Sequence, residues 1–179
     1  MTRRFRRFAL AAAAALLPCM SLSAQGTQIF KKGYTDIGVT VGLGGLGDAG
    51  VAFGGRFERA IKALPDLGNG TLGIGVSADV YSYSNRLFTY RFIPIGVTGN
   101  YHFNLENKKI VPFIGAGLGF QVTSCDYKGT GNLDLCDNSA IYFIGRAGAR
   151  YFVKENLALY ADVGAGAATL NIGVTFKLR

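Results

Sequence analysis

The sequence has no tryptophan, one histidine and three cysteines among its 179 residues. So few histidines and cysteines leave a transition metal short of its usual ligands. Acyl-transfer chemistry is limited as well, because a serine nucleophile needs a histidine base and only His102 could supply one. We therefore predict no metal site, no cofactor and no catalytic residues, and we expect a protein that is not an enzyme.

Long apolar runs are also missing. The longest one, from Phe8 to Met20, is shorter than the roughly 20 residues that a helix needs to cross a bilayer. Four arginines precede this run and small residues follow it, which is the order of a secretory signal peptide. We predict that residues 1–24 are a signal peptide, cleaved after Ala24, and that the protein is exported.

The cysteines fall into two groups. Cys19 lies in the predicted signal peptide after Pro18, whereas a lipoprotein signal has a small residue at that position, and we treat it as removed. Cys125 and Cys136 bracket a polar stretch that contains glycine and asparagine and is typical of a loop. In an exported protein such a pair favours a disulfide. A metal site is the alternative, but it would need further ligands, and His102 lies elsewhere in the chain.

The formal charge of +8 overstates how basic the exported protein is. Removing the four signal arginines leaves 15 Lys+Arg against 11 Asp+Glu, a net charge of +4. The remaining basic residues form no cluster of the kind that binds a nucleic-acid backbone. We predict no nucleic-acid partner.

The remaining sequence alternates apolar residues with small or polar residues at a period of two, the pattern of β-strands. In the first such segment Ile37 and Val39 alternate with Gly38 and Thr40. Turn residues separate eight segments, which we place at 34–43, 49–60, 71–83, 88–103, 110–123, 139–153, 157–166 and 169–179. These segments exceed the usual ~5–6 residues of soluble strands and suit tilted strands that cross a bilayer.

Two architectures fit strands with one apolar and one mixed face. A soluble barrel buries the apolar face, whereas a membrane barrel turns it toward lipid. The mixed faces carry many glycines and charges of both signs, which favours a membrane barrel with a polar lumen. The predicted lumen charge network is Asp36, Arg56, Glu58, Asp79, Arg146, Arg150 and Asp162. Within it we expect Asp162 to pair with Arg146 or Arg150, because a lone carboxylate in hydrocarbon would be unfavourable by several kcal/mol.

Two further features bear on the strands. Aromatic residues gather near strand ends, as in the girdles of membrane barrels. They are Tyr34, Tyr81, Tyr83, Phe88, Tyr90, Tyr101, Phe103, Tyr151, Phe152 and Phe176. In the fourth strand Arg91 shares the apolar face of Ile93 and Ile95, and we predict a bulge at Pro94 that returns Arg91 to the other face.

The segments Asn100–Phe120 and Asn156–Arg179 resemble the small outer-membrane β-barrel domains of Gram-negative bacteria, the OmpA/OmpX-like group, and especially its Bacteroidetes form. Both the strand pattern and the resemblance imply an all-β, eight-stranded antiparallel up-and-down transmembrane β-barrel over residues 34–179, preceded by a periplasmic segment at 25–33. Barrels of this group usually end on an aromatic residue that the assembly machinery reads. Here Phe176 is followed by Lys177-Leu178-Arg179.

The expected location is the outer membrane, with both chain ends in the periplasm and loop 124–138 outside. Expected partners are outer-membrane lipid, the barrel-assembly machinery during biogenesis and extracellular contacts of that loop, and we expect a monomer. The leading function is a structural, envelope-integrity or surface-contact role. The alternatives are a narrow porin-like channel or ligand-binding barrel lined by Arg56, Arg146 and Arg150, and a lipid-modifying enzyme.

Overall fold

The computed structural model describes residues 28–45, 50–84, 86, 88–127 and 138–178, so the predicted signal peptide lies outside the described residues. This part of the chain contains no helix that is long and apolar enough to cross a membrane. Its strands are β1 (Thr35–Leu43), β2 (Val51–Leu64), β3 (Gly70–Ser84), β4 (Phe88–His102), β5 (Ile110–Tyr127), β6 (Asn138–Lys154), β7 (Leu157–Ala165) and β8 (Leu170–Lys177).

The eight strands form a closed ring. Each pairs antiparallel with its neighbours in the sequence, and β1 pairs with β8 to close the sheet, which confirms the predicted up-and-down barrel. If the paired residues are followed around the ring from Val39 in one direction, through β2–β5, they lead to Ile141 on β6. In the other direction, through β8 and β7, they lead to Tyr151 on the same strand. The offset of ten positions from Ile141 to Tyr151 is the stagger of the ring. In an eight-stranded barrel this stagger corresponds to a strand tilt of roughly 40°.

The polarity of the ring is inverted relative to a soluble protein. Large aliphatic side chains point outward on every side, and exposed fractions of 49, 42, 50 and 46% are found at Ile37, Val76, Leu159 and Ile172. Asp79 and Arg150 are only 4% and 2% exposed, because they point into the ring. An apolar belt of this kind is suited to lipid rather than to water.

The strands differ in length, so the two ends of the barrel differ. β1, β7 and β8 have 8 or 9 residues, whereas β3–β6 have 15 to 18. Pairing of β6 with β7 starts only at Gly145, which leaves residues 138–144 beyond the end of β7. The ends of β3–β6 therefore project from the ring as a sheet, at the end opposite the chain termini. We call this the distal end.

Two strands run further than their sequence patterns predict. β2 continues to Leu64, which pairs with Gly70 of β3, although residues 56–64 have partly helical spacing. β5 continues to Tyr127, so the beginning of the predicted 124–138 loop is strand. In both cases pairing with the neighbouring strand maintains the extended backbone after the apolar alternation has ended.

The predicted aromatic girdle is only partly correct. Tyr151 and Phe176 do face outward, with 45% and 47% of their surface exposed. For Tyr34, Tyr81 and Phe152 the prediction is wrong, because these residues are 4%, 0% and 2% exposed and lie inside the barrel. A position near a strand end does not determine the face, since a shift of one residue reverses it.

The predicted bulge at Pro94 is also wrong. The register of β4 against β5 continues unbroken from Phe88 to His102. Pro94 is buried inside, and Arg91 is exposed on the outward face. Arg91 can remain there because it lies in the projecting part of β4, beyond the ends of the short strands, where water can hydrate its charge.

Residues 28–34, which we call the N-terminal plug, close the end of the barrel that carries the chain termini. Phe30 is completely buried, and its carbonyl accepts a hydrogen bond from the Thr71 hydroxyl at 3.4 Å. Gly33, whose φ of +89° favours glycine, donates its backbone N–H to the Ala60 carbonyl at 2.9 Å. Burial, with a smaller effect of the Asp36 carboxylate, raises the pKa of Tyr34 above its usual value.

Candidate functional site in the barrel interior

The seven charged residues of the predicted lumen network all lie on strands and point into the ring. Glycines on facing positions leave room for them. A β-carbon at Gly73 would collide with the Glu58 carboxylate, and one at Gly54 would collide with the Asp79 carboxylate. Small residues on the mixed faces therefore allow long charged side chains to cross a narrow interior.

Arg150 organises the cluster at the terminal end. Its Nε donates to Asp36 Oδ2 at 3.1 Å, and its Nη2 donates to Glu58 Oε2 at 2.5 Å. Glu58 Oε1 lies 2.6 Å from His102 Nε2. One guanidinium thus joins two carboxylates from β1 and β2, and the imidazole satisfies the second oxygen of Glu58.

Aromatic rings surround the Arg150 guanidinium. Its Cζ lies 5.2 Å from the Phe30 ring centre, 5.5 Å from that of Phe113 and 5.4 Å from that of Tyr160. Such distances permit cation–π attraction, which strengthens when water is excluded. The three rings hold the guanidinium in the position from which it bonds both carboxylates.

The second cluster is centred on Asp162. Arg146 Nε donates to Asp162 Oδ1 at 2.7 Å, and Asn171 Nδ2 donates to the same oxygen at 2.8 Å. The Tyr160 hydroxyl donates to the other carboxylate oxygen. Of the two expected partners of Asp162, Arg146 bonds it, whereas Arg150 bonds Asp36 and Glu58 instead.

Arg56 and Asp79 form a looser pair beside this cluster. Arg56 Nη2 lies 3.8 Å from Asp79 Oδ1, which is too long for a hydrogen bond. Among the described residues, Arg56 Nε and Asp79 Oδ1 have no hydrogen-bond partner. They border a cavity of about 50 Å³ between the two clusters. This volume is enough for a few water molecules, each of which needs roughly 10–15 Å³.

Side chains and a turn narrow both ends of the cavity. At the terminal end the Phe30 ring stacks on His102 with 3.8 Å between ring centres. At the distal end the Tyr81 hydroxyl donates to the Ala167 carbonyl at 2.7 Å, and Arg146 donates to the Ala168 carbonyl. The short turn between β7 and β8 therefore folds inward over the lumen.

Sequence reasoning did not place His102 in the lumen. It is completely buried in the lumen, where Glu58 and Arg150 are its polar neighbours among the described residues. Its alternation with outward-facing Tyr101 was a signal that could have located it. The role of Phe30 had no such signal, because it lies in a segment without periodic pattern.

The other site predictions involve parts of the chain that are only partly described. Cys125 lies near the end of β5, and Cys136 lies outside the described residues, so the disulfide stays a prediction. Within the described ranges, no three His, Cys, Asp or Glu side chains are grouped as metal ligands.

No protein-family model matches the chain, and no curated protein matches it. Solved structures do share its fold. Ail, the attachment invasion locus protein of Yersinia pestis, is 14% identical with a TM-score of 0.54, over 82% of this chain and 95% of Ail. Neisserial surface protein A is 21% identical with a TM-score of 0.51, over 81% of this chain and 95% of that protein.

The N-terminal β-barrel domain of Pseudomonas aeruginosa OprF gives a similar result. It is 15% identical with a TM-score of 0.53, over 83% of this chain and all of the domain. At these identities the likeness is one of fold. The chain has the fold of the small eight-stranded outer-membrane barrels, as the sequence resemblance implied, and the Bacteroidetes form stays a prediction.

Proposed function

We propose that this protein is an integral outer-membrane β-barrel without enzymatic activity, which contributes to the envelope structurally or through surface contacts. The observation that carries this proposal is the inverted polarity of the ring. The outward belt of Ile, Val, Leu and Phe suits hydrocarbon, and the paired charges suit a polar lumen that is filled mainly by side chains.

The orientation of the barrel in the membrane depends on where its two chain ends lie. With eight strands both chain ends lie on the same side. The predicted signal peptide and the short turns at that end support a periplasmic position for the termini and the N-terminal plug. The distal end, with the projecting sheet, then faces the exterior.

A sealed barrel fits the interior better than a channel does. Arg150 and Arg146 are neutralised by carboxylates, and the buried rings of Phe30 and Tyr81 narrow the two ends. We expect a flat baseline from the refolded protein in a planar bilayer. Steady single-channel steps would favour the narrow-channel alternative instead.

The surroundings of His102 argue against lipid-modifying chemistry. A catalytic serine would need to hydrogen-bond the imidazole. In the described chain the imidazole contacts Glu58 and Arg150, and Phe30 covers its face. No serine or threonine hydroxyl in the described ranges bonds to it, so the arrangement serves to fill and neutralise the lumen.

The projecting sheet is the part of the barrel best suited to surface contacts. Ile141 and Phe143, near the distal end of β6, are 74% and 82% exposed. We propose that the distal ends of β5 and β6, together with the predicted 124–138 loop between them, make such contacts. Replacing Ile141 with Ser should then reduce adhesion of expressing cells to a surface without lowering the amount of folded barrel.

Cell fractionation combined with heat-modifiable migration tests the main proposal. Intact barrels migrate differently on a detergent gel before and after boiling, and soluble proteins are recovered from the periplasm. We expect the protein in the outer-membrane fraction with a band that shifts on boiling. Recovery in the soluble periplasm, or a band that does not shift, would contradict the proposal.

A further inference from the structure

A groove of about 480 Å³ lies on the outer wall of the barrel, across β8, β1, β2 and β3. It exists because Gly55 and Ala78 occupy neighbouring outward positions and leave the space between the larger lining side chains unfilled. Its apolar lining comes from Ile37, Val39, Phe57, Val76 and Phe176. A second groove of about 360 Å³ shares Val39 and extends toward the distal end.

An arginine on the outward face lies next to this groove. Arg59 follows Phe57 by two residues on the same outward face of β2, about 7 Å nearer the terminal end. It is exposed, and its paired neighbours on β1 and β3 are Thr35 and Ile74. Among the described residues Arg59 forms no ion pair.

An arginine on the lipid-facing wall needs an anion. An unpaired charge there is unfavourable, and the penalty becomes small only near the headgroups. Two further exposed lysines, Lys32 and Lys62, lie at the same end of the barrel. The guanidinium geometry matches a phosphate, to which it can donate two parallel hydrogen bonds.

We propose that this face binds one anionic glycerophospholipid of the periplasmic leaflet, with its phosphate at Arg59 and an acyl chain in the groove above Gly55. From Arg59 to Gly55 the strand covers about 13 Å, which at a tilt of roughly 40° is about 10 Å along the membrane normal and lies within the hydrocarbon depth of one leaflet, about 15 Å. This inference rests on the proposed function, because it requires the terminal end to face the periplasm.

The test is native mass spectrometry of the protein refolded in neutral detergent. The probes are dipalmitoyl phosphatidylglycerol and dipalmitoyl phosphatidylcholine, which have identical chains and differ in headgroup charge. We expect one phosphatidylglycerol to be retained in preference to phosphatidylcholine. Arg59→Gln should weaken its retention about five-fold, the effect expected of one basic residue near a lipid surface. The control Arg91→Gln removes an outward charge at the distal end and should have no effect.

A second pair of variants tests the groove. A β-carbon at Gly55 would meet only the Gly38 carbonyl, at 3.9 Å, so Gly55→Leu can fill the groove without a clash. Gly145 also faces outward and has nothing within 4 Å of its β-carbon position, which makes Gly145→Leu the matched control. We expect Gly55→Leu to reduce phosphatidylglycerol retention by at least the factor seen for Arg59→Gln, and Gly145→Leu to leave it unchanged.

Equal retention of the two lipids by the unmodified protein would overturn the inference. It would also be overturned if Arg59→Gln or Gly55→Leu retained the lipid normally, or if the controls lost it equally. Heat-modifiable migration and fractionation of the same variants separate this failure from failure of the proposed function. A barrel that shifts on boiling and fractionates with the outer membrane, yet shows no such preference, would contradict the lipid site alone.

Discussion

Replacing Arg150 with methionine would leave two buried carboxylates without their cation. Arg150 Nε is 3.1 Å from Asp36 Oδ2, its Nη2 is 2.5 Å from Glu58 Oε2, and the residue is 2% exposed. Removing one partner of a buried ion pair generally lowers the free energy of unfolding by about 3–5 kcal/mol, because the remaining charge stays desolvated. We expect a loss in this range for Arg150→Met.

The measurement is urea-induced unfolding of the barrel in phospholipid vesicles, followed by circular dichroism and by heat-modifiable migration. Arg91→Met, the same change at an exposed site, should alter the free energy of unfolding by no more than about 0.5 kcal/mol. Adding Asp36→Asn and Glu58→Gln to Arg150→Met removes the orphaned charges and should recover at least half of the loss. A loss below about 1 kcal/mol, or one that these changes do not reduce, would refute the reasoning.

Three further predictions follow from the packing of the ring. Gly73→Val should prevent formation of the folded band, because its side chain would occupy the space of a buried carboxylate, whereas outward-facing Gly99→Val should fold. Phe30→Ala removes a fully buried ring and should lower the free energy of unfolding by about 3–5 kcal/mol, and an unchanged urea midpoint would count against the N-terminal plug. Ile172→Arg, on the lipid-facing wall, should lower the free energy of unfolding by about 2–4 kcal/mol in vesicles, and Val122→Arg, on the projecting part of β5, by about 0–1 kcal/mol. Equal losses at these last two positions would contradict the assignment of the apolar belt to lipid.

The alternating pattern predicted every strand, because in a membrane barrel the face that meets lipid must be apolar along its whole length. The alternation of apolar and polar residues ends where a strand leaves the apolar belt. Lys62 interrupts the alternation in β2 and Ser124 does so in β5, yet both strands continue by pairing with their neighbours. The polarity of the side chains therefore does not indicate where a strand ends once it has left the apolar belt.

The charges of the interior were predictable as a set but not as pairs. The period-two alternation of the sequence placed Asp162 and Arg150 on the inward face. Their partners depend on the stagger of the ring, which brings Arg150 near Asp36 and Glu58 and leaves Asp162 to Arg146. That stagger follows from the register of all eight strands together, and no local pattern contains it. The N-terminal plug was missed for a related reason, since Phe30 reaches the lumen through a non-periodic segment.

The central claim is that the outward belt contacts hydrocarbon, and nuclear Overhauser effects between lipid and protein measure this contact directly. The experiment uses deuterated protein in protonated phospholipid bilayers or nanodiscs and records cross-peaks from acyl methylenes and from water to the backbone amides. We predict acyl cross-peaks at Val39, Val76 and Ile172, and water cross-peaks at Lys62 and Arg91. Water cross-peaks throughout the belt, with no acyl cross-peaks at those three positions, would contradict the account.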